Sequence, residues 1–586
     1  MKRIWVYLRE YKRLCLLAPL FKMLEAIFEL FVPLVIASVI DTGIANQDKP
    51  YIFRMCLILL VLAGIGLTCS FTAQYFSAKA AVGTSTAMRQ SLFAHIQTLS
   101  FSQLDSLGSS TLITRMTSDI NQVQDGVNLT LRLFLRSPFI VFGAMVMAFT
   151  IDVTAALIFL VVIVILGIIV FGIMLGTRPA YKNIQSQLDR VTSATRENLN
   201  GVRVIRAFNK EEEEIDHFHK ENETLNRLQK AVGRISGLLN PMTYVVINIG
   251  IIALIYLGAF RVDSGALTQG QVVALYNYMT QILVELIKLA NLIIQISRAL
   301  ACANRVDSIF AVEPDMQDGK ERALSAEDMT GSSDIPAVAF RHVSLKYAGG
   351  GEEALTDIDF AVKRGETVGI IGGTGSGKTS LVDLIPRYYD VTEGSVLVDG
   401  QDVRSLTRAS LRKKVVMVMQ KARLFAGTVR DNMTWGCKEA SDEEIHEALR
   451  LAQAEDFVMA KEGGLDAVIE QGGRNLSGGQ RQRLTIARAL VGHPDILILD
   501  DSSSALDFAT DAALRRAIRN LPDHPTLFIV SQRAASLMHA DRIIVLDDGR
   551  IVGIGRHEEL LVSCPVYREI CDSQLSERDQ TGKRRA

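Results

Sequence analysis

Residues 367–380 read TVGIIGGTGSGKTS. The apolar run Thr367–Ile371 reads as a buried strand, and the pattern after Lys378 is helical. Between them, Gly372–Thr379 (GGTGSGKT) matches the spacing GxxxxGK[ST] in full. A strand before and a helix after is the context in which this spacing has chemical meaning. The glycines let successive backbone N–H groups face one point, and the helix N-terminus adds positive potential there. The loop Gly372, Gly373, Thr374, Gly375, Ser376 and Gly377 is therefore expected to cradle phosphates, with Ser380 just inside the helix. Lys378 is expected to reach the β/γ-phosphates and Thr379 to hold Mg²⁺, so the stretch predicts ATP with Mg²⁺ as ligands.

Working outward, short β-branched runs alternate with helical patterns from Pro336 onward: ETVGII (366–371), VVMVMQ (415–420), DILILD (495–500), PTLFIVS (525–531) and RIIVLDDG (542–549). Such alternation predicts an α/β domain with a largely parallel sheet. Asp500 ends one of these strands 122 residues after Lys378, where a second, metal-holding carboxylate is expected.

The first half of the chain differs in character. Mean hydropathy over the chain is +0.21. Met55–Ala78, Val153–Leu175 and Thr243–Phe260 contain no charged residue. A membrane span needs about 20 apolar residues. Leu14–Ile40, Leu131–Ile151 and Val272–Ser297 complete a set of six expected spans. Connections one, three and five are short; connections two (about 79–130) and four (178–240) are long, polar and rich in helix formers, and are expected to be membrane helices carried far into water. The 178–240 stretch holds eleven Lys/Arg and the first thirteen residues hold five, while 262–271 holds none. The positive-inside rule then puts the N-terminus, the long connections and the α/β domain in the cytoplasm. The basic start precedes an apolar run that continues through Pro33 to Ile40, long enough to span, so it reads as a retained helix and not a signal peptide. The expected layout is 1–310 membrane domain, 311–335 polar linker, 336–575 α/β domain and 576–586 disordered tail, in a cell membrane. Net charge is −1, which argues against nucleic acid as a partner. The seven cysteines form no CxxC pair, so neither a zinc site nor a disulfide framework is expected.

Leu476–Gln480 is LSGGQ, followed by RQR. With GGTGSGKT upstream and Asp500 downstream, the chain resembles the ATP-binding cassette (ABC) transporters along nearly its whole length. Six spans fused to one cassette resemble the exporter-type half-transporter. That resemblance implies a dimer with two ATPs sandwiched between one chain's phosphate loop and the other chain's LSGGQ. It implies roles for single residues. Tyr347 stacks on adenine, and Gln420 touches Mg²⁺ and faces the membrane domain. Ser477, Gly478, Gly479 and Gln480 contact the partner's nucleotide. Ser504–Asp507 (SALD) lies at the dimer seam, with Asp507 as its acidic end. Residues 101–116 and 197–209 resemble the coupling segments.

Two positions depart from the pattern. Asp501 stands where hydrolytic cassettes carry a Glu that polarises the attacking water, and Gln532 where they carry a switch histidine. Asp is one methylene shorter than Glu, roughly 1.5 Å. General-base catalysis needs contact at about 2.6–3.2 Å and is worth about 10²–10⁴-fold. The expectation is a site that binds ATP and hydrolyses it poorly, in a chain paired with a second half-transporter whose own site is intact.

Within the spans, Glu25 and Glu29 lie four apart, and Glu285 and Lys288 three apart, close enough to pair. Asn277, with Asn248, Asn291 and Gln295, adds hydrogen-bonding groups. Intramembrane polar groups are functional candidates. Glu25, Glu29, Glu285 and Asn277 are the candidate substrate contacts. One reading makes them a cavity for a cationic amphiphile; the other makes them interhelical bonds. The expected activity is ATP-driven export of hydrophobic or amphipathic compounds across the lipid bilayer. The alternatives are a homodimeric exporter, an importer of metal chelates, and a regulatory or channel-like protein gated by the cassette.

Overall fold

The computed structural model describes residues 2–324, 335–347, 350–502, 505–521 and 524–583. The chain divides into two compact units, residues 1–97 with 110–312, and residues 98–109 with 313–586.

The first unit is all helix. Six helices are long and apolar enough to cross a membrane: Lys12–Ile44, Lys49–Ile96, Ser109–Ile151, Val153–Ala207, Glu211–Asp263 and Gln269–Phe310. Each contains one of the expected apolar runs. The fourth has 55 residues, about 80 Å at the rise of an α-helix. The hydrocarbon core takes up about 30 Å of that, so the remainder extends into water, as the polar composition of 178–240 requires. Asp152 fixes the start of this helix by accepting from the Ala155 N–H at 2.8 Å. Thr268 and Gln271 form a reciprocal cap on the sixth helix.

Inside the unit, small residues let the helices approach: Ala18, Ala26, Ala73, Ala144, Ala148, Ala155 and Ala274 are at most 1% exposed. Close backbone packing of this kind drives helix association where lipid is as apolar as the side chains. The Tyr278 hydroxyl, fully buried, donates to the Leu30 carbonyl at 2.5 Å. Leu60, Ile168 and Ile252 face outward, the surface that lipid covers. The second long connection turns at Phe208, with Leu199, Val204 and Phe208 all exposed.

The second unit is the α/β domain. Its strands are β1 (Val338–Leu345), β2 (Leu355–Val362), β3 (Thr367–Gly372), β4 (Glu393–Val398), β5 (Gln401–Asp402), β6 (Val415–Val418), β7 (Gly427–Thr428), β8 (Val468–Ile469), β9 (Ile496–Asp500), β10 (Thr526–Val530), β11 (Arg542–Asp547) and β12 (Arg550–Gly555). The main sheet has the order β12-β11-β3-β10-β9-β6, parallel except for β12. A smaller antiparallel sheet runs β2-β1-β4-β5. The parallel strands bury both faces with a two-residue alternation. Val368, Ile370, Ile498, Phe528, Val530 and Ile544 enter one core with the antiparallel sheet. Leu497, Leu499, Leu527, Ile529, Ile543 and Val545 enter a second core with the helices of residues 429–490. Burial on both faces is why these strands read as unbroken aliphatic runs.

The tip of the first long connection belongs to this unit. Helix Phe101–Leu107 is capped by Ser100 and Gln103. Phe101 packs on Tyr388 with ring centroids 4.8 Å apart, and Tyr389 donates to Asp105 at 3.0 Å. Of the expected linker, 325–334 lie outside the described residues; within 311–324, Glu321 takes a hydrogen bond from Thr407 and gives one to Ser405. The last helix is Pro565–Lys583. It runs into the stretch expected to be a disordered tail, of which 584–586 lie outside the described residues.

Candidate nucleotide site and membrane charge cluster

β3 ends at Gly372 and helix Lys378–Asp383 begins six residues later. The loop between them turns by left-handed backbone at Gly375 (φ 85°) and Gly377 (φ 92°). A side chain at Gly377 would meet the Ala354 carbonyl at 2.7 Å, so glycine is required there twice over. Lys378 is 8% exposed and folds back over the loop, donating to the Gly373 carbonyl at 2.5 Å and the Gly372 carbonyl at 3.1 Å. Burial holds its pKa below the usual lysine value, against the pull of Asp501 and Asp500. An incoming phosphate offers that ammonium a better partner than two neutral carbonyls.

Thr379, Lys378, Tyr347, Gln420, Asp500, Asp501 and Gln532 line one cavity of about 380 Å³ with Thr374, Gly375, Gly377 and Ser380. The sequence-predicted phosphate and metal residues thus converge. The Thr379 hydroxyl donates to Asp500 at 3.1 Å. Asp500, 2% exposed at the end of β9, has its pKa raised by burial, with Asp501 adding to the effect and the Thr379 hydrogen bond opposing it. A buried carboxylate with a second acid beside it is a site that a cation stabilises. The donors on offer are a hydroxyl, a carboxylate and the Gln420 amide. These are the hard oxygens Mg²⁺ takes alongside substrate phosphates. No cluster of three His, Cys, Asp or Glu occurs among the described residues, so the phosphates would have to complete the shell.

Tyr347 donates to Ser380 Oγ at 2.9 Å and meets Tyr389 edge-on at 5.1 Å. Its ring is held at the cavity mouth by the phosphate-loop helix on one side and by Tyr389 on the other.

Asp501 sits in left-handed backbone (φ 43°), a conformation that Asp tolerates better than most side chains. Its N–H donates to the Val530 carbonyl at 3.0 Å, and its carboxylate accepts from Gln420 Nε2 at 3.3 Å. Gln532 is exposed at the cavity rim. Its loop is clamped from the last helix: Gln574 donates to the Gln532 carbonyl at 2.7 Å and accepts from the Ala534 N–H at 2.9 Å. Sequence reasoning gave no hint of Gln574. It also missed Asp383, whose carboxyl is pushed up to about 7 by burial, with Asp500 and Asp105 adding to the effect.

The LSGGQ segment does not line this cavity. Ser477 caps helix Gly478–Leu490, accepting from Gln480 N at 3.2 Å while Gln480 Oε1 accepts from Ser477 N at 3.0 Å. Ser477 and Gly478 are exposed, so the N-terminus of this 13-residue helix faces outward. A Cβ on Gly479 would lie 3.1 Å from the Ala505 carbonyl, which places the signature beside the SALD segment. Of that segment Ser504 lies outside the described residues. Asp507 caps helix Phe508–Arg519 by accepting from Thr510 N at 2.9 Å.

In the membrane unit the three candidate acids, Glu25, Glu29 and Glu285, are each paired. Arg136 Nη1 donates to Glu285 at 2.7 Å, and its Nη2 donates to Glu29 at 2.7 Å. Ser137 donates to the other Glu285 oxygen at 2.7 Å, and Lys288 to Glu285 at 2.9 Å. Lys22 bonds Glu25 at 2.6 Å and Ser70 at 2.9 Å. Glu29, Glu285 and Asn277 line one cavity of about 280 Å³; Glu25 does not.

A family model for the ABC transporter transmembrane region matches residues 15–286, and one described as ABC transporter matches residues 355–504. An uncharacterized ABC transporter ATP-binding protein of Mycobacterium tuberculosis is 35% identical over 571 residues, 97% of each chain. One from Bacillus subtilis is 33% identical over 575 residues, 98% of this chain and 99% of its own. An ATP-dependent lipid A-core flippase of Yersinia pestis is 31% identical over 581 residues, 98% of each chain.

Proposed function

The chain belongs to the ABC transporters, an exporter-type half-transporter that couples ATP hydrolysis to transport across a membrane, and from that premise we propose that it is the hydrolysis-impaired half of a two-chain exporter. In this reading its own phosphate loop builds a site that holds Mg²⁺-ATP with slow turnover. Thr379, Asp500 and Gln420 would hold the Mg²⁺, whose charge would offset that of the phosphates. Ser477–Gln480 completes the fast site of a second half-transporter.

The observation that carries this is the engagement of Asp501. Its short carboxylate leaves a left-handed backbone and is met by Gln420 at 3.3 Å. The position from which a general base would work is thus occupied by an acid one methylene short and already bonded. Gln532, the other departure, is neutral at the cavity rim and offers no imidazole. Lys378 and Thr379, the residues expected to meet phosphate and metal, line the same cavity beside them. The outward-facing cap of LSGGQ supports service to another chain, since it takes no part in this chain's own cavity.

The transported compound is a hydrophobic or amphipathic molecule, moved outward across the cell membrane, with cassette and N-terminus cytoplasmic. The name of the flippase relative, which acts on lipid A-core, is in keeping with an amphipathic substrate.

Bound nucleotide tests the site. After incubation of the full chain with Mg²⁺-ATP in lipid, rapid filtration and chromatography should recover mainly ATP. Mainly ADP would show a competent site and remove the proposal.

A further inference from the structure

The membrane cavity between the first, third and sixth spans borders a cluster of paired charges. Three acids (Glu25, Glu29, Glu285) and three bases (Lys22, Arg136, Lys288) form one connected cluster with formal net charge of zero. The inner members are closed off: the side chains of Glu285, Arg136 and Lys22 are 4%, 8% and 8% exposed. The two ends that reach the cavity are of opposite sign and half open, Glu29 at 40% and Lys288 at 44%. Each spends only part of its capacity. Among the described residues Glu29 accepts one hydrogen bond, from Arg136, and Lys288 donates one, to Glu285. A carboxylate has about four lone-pair sites and an ammonium three donors. The same wall holds Gln281, whose Oε1 is shut from solvent and has no hydrogen-bond partner among the described residues.

We propose that this cavity binds the zwitterionic head of an amphiphile, its ammonium against Glu29 and its carboxylate or phosphate against Lys288. This rests on the reading of the chain as an exporter and names the substrate class of that reading. A cationic amphiphile is disfavoured, because every carboxylate already has a cation and one more charge in the membrane interior has no counter-charge. An anion meets the same objection with the sign reversed. A zwitterion adds no net charge and satisfies both open ends. The head could belong to a membrane phospholipid or to a soluble alkyl zwitterion.

The test is equilibrium binding without nucleotide, with the full chain in phosphatidylglycerol nanodiscs. The radiolabelled probes share a twelve-carbon tail: dodecylphosphocholine, dodecyltrimethylammonium, dodecyl sulfate and dodecyl maltoside, all below their micelle concentrations. The zwitterion should bind at least about tenfold tighter than the other three. Glu29→Gln leaves one positive charge unmatched and should turn the preference to dodecyl sulfate. Lys288→Gln should turn it to dodecyltrimethylammonium. Both residues are half exposed, and both variants leave the Arg136–Glu285 pair in place. Tightest wild-type binding of the cation, equal binding of the maltoside, shifts in the same direction by both variants, or no binding of any probe would each overturn the proposal. Phosphatidylethanolamine added to the discs weakens probe binding if a lipid head is the natural occupant and leaves it unchanged if a soluble compound is. ATP-dependent uptake into inside-out vesicles reports on the exporter reading separately, so either idea can fail alone.

Discussion

Replacing Arg136 with Met tests how the membrane unit is held together. Arg136 is 7% exposed and holds Glu285 and Glu29 at 2.7 Å each. Met matches the length of the aliphatic stem and has no charge. The change strands Glu285, itself 3% exposed, with Ser137 and Lys288 as its remaining partners. Breaking a buried pair by removing one member costs about 3–5 kcal/mol, and half-exposed Lys288 compensates only part of the charge left on Glu285. At about 2 °C per kcal/mol for a unit of this size, the unfolding midpoint should fall by about 6–10 °C. Thermal unfolding of the full chain in nanodiscs, followed by far-UV circular dichroism, reads this directly. Arg136→Met/Glu285→Met removes both charges and should recover most of the loss. A midpoint within about 1 °C of wild type for the single variant, or a double variant no better than the single, would refute the argument that charge pairing joins these helices.

Asp383 gives a pH signature. Its folded pKa, about 7, lies above the ordinary 3.8, so the folded state binds the proton more tightly. Stability is therefore lost as pH rises between about 4 and 7. At about 1.4 kcal/mol per pH unit the full loss is at most about 4 kcal/mol. Asp383→Asn should gain more over wild type at pH 8 than at pH 5, and equal gains at both would contradict the assignment. Gln574→Ala removes two hydrogen bonds to the loop at Gln532–Ala534. At about 0.5–1.5 kcal/mol each, amide exchange at Ala534 should quicken by about tenfold, and unchanged exchange would show that the loop holds itself. Lys378→Ala should lower retained ATP by at least about tenfold, the loss of a charge-assisted contact; full retention would mean that the loop's N–H groups suffice.

The convergence of the candidate nucleotide-site residues was legible because their motifs carry their own geometry. Gly375 and Gly377 stand where the backbone must turn left-handed, and the strand before them fixes where the loop points. Asp500 could be placed from the aliphatic run that delivers it. The six spans were legible from length and charge alone. What escaped the sequence depends on residues far apart in the chain. Glu285 and Lys288, three apart, could be paired on a helical net, and the pair exists. The stronger partner, Arg136, lies 149 positions away. The raised pKa of Asp383 reflects burial beneath several elements, which no local pattern reports. The left-handed backbone at Asp501 was equally hidden, although the choice of Asp at that position is compatible with it. Gln574 lies 42 residues beyond the carbonyl it clamps and belongs to no motif.

The most direct measurement is the steady-state ATPase rate in lipid of this chain alone beside Asp501→Glu/Gln532→His. Near-absence of turnover in the wild-type chain, raised by at least about 10²-fold in the double variant, is the predicted result. It would place the impairment in those two side chains and leave turnover to a second half-transporter. Brisk hydrolysis by the wild-type chain alone would contradict the account, making Asp501 a competent base and the homodimer the working unit.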